Sequence, residues 1–218
     1  GLAEAGLQRG QHLVVIGENR PRLYATMLAA QSLGAIVVPL YQDAAAAEFA
    51  YPIDNAEIGF AVVEDQEQVD KLLELRASCP QLARIWYDDG RGLRHYDEPG
   101  LASLDALVEA GRAWNAQHAG FFDAEVAKAA PGDVAAMFFT SGTTGHPKGV
   151  VHTHATLIDR ARAGARFDKL TSADEAAEFP QASYDALRAM DMHAPHIPEE
   201  YGGAGADALA TCIVIEEV

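Results

Sequence analysis

Positive charge is scarce in this sequence. Sixteen lysines and arginines stand against 32 aspartates and glutamates, a formal net charge of −16 over 218 residues. Nucleic-acid binding needs a basic footprint, and electrostatic attachment to an anionic membrane needs clustered Lys and Arg, so this composition argues against both. Cysteine is nearly absent: Cys79 and Cys212 are the two in the chain. They suggest no disulfide framework, and a reducing, cytoplasmic setting is expected. No apolar run approaches the roughly 20 residues of a membrane-spanning helix. The opening Gly1-Leu2-Ala3-Glu4-Ala5-Gly6 lacks the charged-then-apolar order of a secretory signal. The acidity itself is read as solvated faces that keep the chain soluble.

What is present is an ordinary globular share of apolar residues, 49%, gathered in short runs. That is enough for one large domain or two small ones with a real core. Residues 12–16 (HLVVI) read as a buried strand closed by Gly17, and 35–40 (AIVVPL) as a second. Residues 58–63, 82–87 and 134–139 complete a set of five. Between them lie helical patterns. Residues 21–33 repeat Leu23, Met27, Ala30 and Leu33, with Pro21 suited to a first turn and Gly34 to a stop. Residues 44–55 read as a helix weakened by Pro52. Residues 66–77 place Val69, Leu72, Leu73 and Arg76 on one face, and 104–117 form a further helix. Residues 88–100, rich in Gly, Asp and Pro, read as a loop. Alternating apolar strands and amphipathic helices predict an α/β fold, a parallel sheet covered on both faces. Ligands of such sheets bind at the carboxyl ends of the strands. After about residue 173 the strand signals stop. Residues 174–192 are helix-like, 193–205 form a Pro- and Gly-rich turn, and 206–218 begin another helix.

One segment carries chemistry. Directly after the fifth strand comes Thr140-Ser141-Gly142-Thr143-Thr144-Gly145-His146-Pro147-Lys148-Gly149. Its glycines let the backbone approach an anion closely, and successive N–H groups in such a turn form an anion-binding nest. Thr140, Ser141, Thr143 and Thr144 add hydroxyl donors, and Lys148 adds a positive charge. In a very acidic chain this stretch holds no carboxylate. It is not a Walker loop, which needs Gly-Lys followed by Ser or Thr at the opening of a helix. Here Lys148 precedes Gly149, and Val150 and Val151 look like strand, so the loop is expected to join two strands.

This string resembles the phosphate-binding motif of the AMP-forming, adenylate-forming family: acyl-CoA synthetases, luciferases and peptide-synthetase adenylation domains. The resemblance extends to Ile16-Gly17-Glu18-Asn19-Arg20, to Ser32-Leu33-Gly34-Ala35 leading into Val37-Val38-Pro39-Leu40, to residues 62–69, and to Val151-His152-Thr153-His154. These look like the N-terminal subdomain of long-chain fatty acyl-CoA synthetases, over roughly residues 1–175. The resemblance implies ATP with Mg²⁺ as cofactor, fatty acid and CoA as substrates, and an acyl-adenylate on the way to acyl-CoA. It gives Thr140, Ser141, Gly142, Thr143, Thr144, Gly145 and Lys148 the role of gripping the β- and γ-phosphates. His152 and His154 are expected to serve packing or the strand surface rather than the nucleotide. No catalytic or metal-ligating residue is carried over.

The family's later segments are not found in these 218 residues: Tyr-Gly-x-Thr-Glu for adenine and Mg²⁺, Thr-Gly-Asp for the ribose, and a lid with a catalytic lysine. Residues 176–218 resemble another family instead. Glu178-Phe179-Pro180 and Ile197-Pro198-Glu199-Glu200-Tyr201-Gly202-Gly203-Ala204-Gly205 look like the N-terminal helical domain of acyl-CoA dehydrogenases. That family's flavin-binding segments are not found, so FAD is not expected. The whole is read as a truncated AMP-binding domain (1–175) with a dehydrogenase-like helical fragment (176–218), inactive as a ligase on its own. The rival readings are a dehydrogenase-like helical interaction module and an inactive chimeric remnant. An unfinished sheet edge suggests self-association as a further partner interaction.

Overall fold

The computed structural model describes residues 1–140 and 147–167. Residues Gly1–His154 form one compact unit, and of a second unit, from Ala155 onward, the described part belongs to helix α6 (His154–Phe167). The proposed helical pair at 174–218 lies outside the described residues.

The first unit is built on a seven-stranded sheet, with order β5-β4-β3-β1-β2-β6-β7. At its centre β1 (His12–Ile16) pairs in parallel with β2 (Ile36–Leu40) and β3 (Phe60–Val63). Beyond β3 come β4 (Arg84–Tyr87) and β5 (Leu101–Ser103); beyond β2 comes β6 (Val134–Thr140), all parallel. The last strand, β7 (Lys148–Thr153), turns back antiparallel to β6 and exposes Val150 and Val151.

The continuous apolar runs are explained by burial on both faces. Val14 and Ile16 enter a core with Phe49, Ile53, Val69 and Leu72, from α2 (Ala46–Asn55) and α3 (Gln66–Glu74). Leu13 and Val15 point the other way, toward Leu23 and Ala30 of α1 (Pro21–Ser32) and Leu104 and Leu107 of α4 (Leu104–Gln117). The period of two in β1 thus divides one strand between two cores. Local signals set the helix ends. Pro21 opens α1, and Gly34 follows it with φ +73°, a conformation that favours glycine. Asp65 caps α3 by accepting from the Gln68 backbone N–H at 3.4 Å. Pro52 sits buried inside α2, where it has no N–H to give to the Glu48 carbonyl one turn back.

The strands expected to begin at 58 and 82 begin two residues later, at Phe60 and Arg84. The preceding backbone is used elsewhere: the Ile58 N–H bonds the Ile53 carbonyl at the end of α2, and the Ala83 and Arg84 N–H groups share the Gly59 carbonyl. Helix 66–77 stops at Glu74 and tightens into a 3₁₀ turn, Leu75–Ala77. The three-residue β5 and the six-residue α5 (Phe121–Val126) were not expected, being too short to show a period.

Candidate functional site

The sheet brings two of the sequence-predicted phosphate ligands together. In the β6–β7 hairpin, Thr140 and Lys148 are the last facing pair, and both are exposed. The residues between them that were predicted to grip phosphate, Ser141, Gly142, Thr143, Thr144 and Gly145, lie outside the described residues. β6 runs parallel to β2, so its end at Thr140 opens on the carboxyl side of the parallel strands, where ligands of such sheets collect. Among the described residues Lys148 has no acidic partner within salt-bridge distance.

One face of the hairpin is anchored on the core. Met137 and Phe139 pack against the α2–α3 core, and Phe139 meets Tyr51 edge-on, with centroids 6.4 Å apart. Phe138 meets His152 edge-on at 5.2 Å, which is the packing role expected of that histidine. Gly149 stands opposite Phe139, and a Cβ there would come within 2.9 Å of the Met137 sulfur. His154 starts α6 and gives its backbone N–H to the Asp133 carbonyl at 3.1 Å. Because β7 runs back toward the amino side of the sheet, five strand steps of about 3.4 Å separate that end from Lys148. His154 is therefore far from the hairpin mouth.

Next to β6, the turn after β2 is held by Lys71, whose ammonium donates to the Gln42 carbonyl at 2.6 Å while pairing with Glu67 at 2.8 Å. The Tyr41 hydroxyl donates to Asp43 at 2.7 Å in the same turn.

A second constellation at the carboxyl ends of β1, β3 and β4 was missed as a site. Gly17 follows β1, and a Cβ there would lie 2.6 Å from the Cβ of Glu64. The Glu64 carboxylate accepts from the Glu18 N–H and from Arg20 Nε, both at 2.7 Å. Arg22 bridges Asp88 and Asp105 at 2.6 Å each, and Arg91 pairs with Asp89. Hydrogen bonds from Arg91 hold the Asp89 carboxyl below its usual range, and the Glu64 carboxylate raises the Arg20 guanidinium. Here opposite charges satisfy one another, which reads as a structural clamp around the β1 and β3 turns. Its sequence signal was the placement of Gly17, Glu64 and Asp88 immediately after strands. Among the described residues, no group of three or more His, Cys, Asp or Glu side chains is placed to hold a metal ion, and no helix is long and apolar enough to cross a membrane.

Comparison with known proteins agrees with this architecture. The sequence is 26% identical over 198 residues to the long-chain-fatty-acid–CoA ligase FadD15 of Mycobacterium tuberculosis, covering 90% of this chain and 31% of that protein. The chain thus spans about a third of the ligase. A shorter stretch of 45 residues is 62% identical to the probable acyl-CoA dehydrogenase FadE25 of the same species, covering 21% of this chain and 12% of that one. In fold, the chain is similar to the luciferase-like enzyme of the mealworm Zophobas morio, with a TM-score of 0.59 at 20% identity over 77% of this chain and 36% of that structure. The pattern of the AMP-binding enzyme family matches residues 1–195, and the chain belongs to that family.

Proposed function

We propose that this chain carries the ATP phosphate grip of an AMP-forming long-chain fatty acyl-CoA ligase. The observation that carries the proposal is the hairpin mouth, where Thr140 and Lys148 face each other at the carboxyl side of a parallel sheet. On this reading the hydroxyls of Thr140, Ser141, Thr143 and Thr144 and the backbone N–H groups around Gly142 and Gly145 surround the β- and γ-phosphates. Lys148 supplies the charge. The described ends of the loop fit an anion, with an ammonium and a hydroxyl at the mouth and no carboxylate between residues 140 and 149. Mg²⁺ enters as the counter-ion that ATP carries, neutralising phosphate charge.

One charge pair at about 4 Å is worth up to roughly 4 kcal/mol at an effective dielectric of 20. Lys148 is exposed, so solvent screening reduces that figure. Lys148→Ala is expected to weaken MgATP binding about tenfold, equivalent to about 1.4 kcal/mol, in calorimetric titration. Equal affinities would overturn the assignment.

The 218 residues alone are not expected to complete ligation. Holding an acyl carboxylate against the α-phosphorus needs positioning and charge stabilisation from several directions, and the hairpin supplies one. The expected result is ATP binding without acyl-CoA formation when pure protein is given fatty acid, ATP and CoA. A thioester product would contradict it.

The 62% identity to a probable acyl-CoA dehydrogenase favours a second reading for the C-terminal part, residues 176–218, as a piece of a dehydrogenase-type helical domain joined to the AMP-binding part. Flavin that copurifies through gel filtration would extend that reading to a functional module; colourless protein would leave it a structural remnant.

A further inference from the structure

We propose that Gln31, on α1, is a positioning residue for the β6–β7 hairpin: its side-chain amide pins the register that places Thr140 opposite Lys148. The link to nucleotide binding rests on the phosphate-grip reading above; the pin itself does not.

From Thr140↔Lys148 down to Ala136↔His152 the two strands advance residue for residue. One step on, Val134 stands opposite Thr153, so β6 advances two residues while β7 advances one. Ala135 is left without a partner in that ladder. An extra residue of this kind bends and twists the strand that carries it and is common beside active sites.

The position of the bulge matters because side chains alternate along a strand. Sliding it toward the loop would turn residues of β6 to the opposite face. Met137 and Phe139 would leave the α2–α3 core, Phe138 would lose His152, and a different residue would face Lys148. On its other side β6 is held to β2 in the register Val37↔Ala136, one residue beyond the bulge.

Gln31 adds a constraint at the bulged residue itself. Its Nε2 donates to the Ala135 carbonyl at 3.2 Å, across 104 residues of sequence. The helix that carries it is itself fixed to the sheet by the buried Leu23 and Ala30. The bulged residue is therefore tied to a rigid element outside the hairpin, and second contacts of this kind hold a functional geometry in place.

The test uses three variants of the full chain. Gln31→Leu and Gln31→Glu keep the bulk and lose the donor; Gln31→Lys keeps a donor on a stem of similar reach. Two readouts are taken: cross-strand nuclear Overhauser contacts for the pairs 140–148 and 138–150, and the affinity for MgATP. The Leu and Glu variants are expected to lose or weaken those contacts and to bind MgATP about fivefold more weakly, equivalent to about 1 kcal/mol at about 1.4 kcal/mol per tenfold. The Lys variant should retain both. If only packing mattered, the variants would rank by melting temperature and Lys would not rescue. Native contacts in both donor-less variants would overturn the pin. Lost contacts with unchanged MgATP affinity would overturn its link to the site. A wild type with native contacts and no MgATP binding would refute the phosphate-grip reading and leave the pin to be judged by the contacts alone.

Discussion

His12 opens β1 with a ring nitrogen, Nε2, that is buried with no hydrogen-bond partner among the described residues. Burial pushes its pKa below the ordinary value of 6.5, and the Glu57 charge and the Ala56 backbone bond pull back only in part. The sign follows from proton counting. As pH falls through the unfolded value, the unfolded chain takes up a proton that the folded chain refuses, so stability is full above that value and is lost toward the folded one. The free energy of urea unfolding should fall as the pH is lowered through 6.5, the ordinary histidine value, and His12→Gln should remove part of the slope. Equal slopes in variant and wild type would show that His12 contributes nothing to it. Residues differ in how far the sequence reveals them. Thr140 and Lys148 could be singled out because the pattern of the proposed phosphate loop is local, carried by ten consecutive residues; the structure adds that the two face each other. The Arg20–Glu64 clamp was not, because its partners lie 44 residues apart and meet only once β1 and β3 are neighbours. Gln31 was hidden for the same reason, as one polar residue in a helix pattern.

Elements show the same division. All five expected strands, and the four helices expected before residue 120, begin within two residues of their forecast starts, because burial on two faces writes long apolar runs into the sequence. That a strand follows the loop was also readable, since Val150 and Val151 resume a strand pattern; its antiparallel pairing with β6 was not. β5 shows what such patterns leave out. Its three residues, Leu101–Ser103, pair with Ile85–Tyr87 of β4, and the approach depends on Gly100. There φ is +77°, and a Cβ would fall 2.1 Å from the Ala83 backbone carbonyl oxygen. The Gly100 carbonyl accepts the Ile85 N–H at 2.9 Å, so the residue cannot move aside without breaking the edge of the sheet. A residue with a Cβ in that conformation costs about 1–2 kcal/mol before any clash. Gly100→Ala should lower unfolding free energy by at least about 2 kcal/mol, read from the urea midpoint. It should do so without changing MgATP affinity, because β5 lies at the opposite end of the sheet from the hairpin. An unchanged midpoint would mean that β5 is dispensable.

The whole molecule repels what the hairpin is proposed to attract. A net charge of −16 sets up a field that a polyanion such as ATP must climb, while the attraction of Lys148 acts only close to the loop. Which dominates depends on screening. The Debye length is about 30 Å at 0.01 M salt and about 10 Å at 0.1 M. At the lower salt an approaching nucleotide feels the charge of the whole chain; at the higher it feels little beyond the residues around the hairpin mouth. Attraction at contact survives that change better than repulsion at a distance, since the loop contains no carboxylate and the acidic residues are spread over the rest of the chain. The association rate of a fluorescent ATP analogue, measured by stopped flow, should therefore rise between about 0.01 M and about 0.1 M salt. A steered, basic site shows the reverse, with rates that fall steeply as salt is added. The dissociation rate should move in the same direction, because screening also weakens the hold of Lys148 on the bound phosphates, so affinity should change less than either rate. Lys148→Ala should keep the rise in association and lose the salt dependence of dissociation, which separates the global field from the local charge. An association rate that falls with salt in the wild type would mean that the field at the hairpin mouth is positive despite the net charge, and that cationic residues beyond Lys148 gather around it.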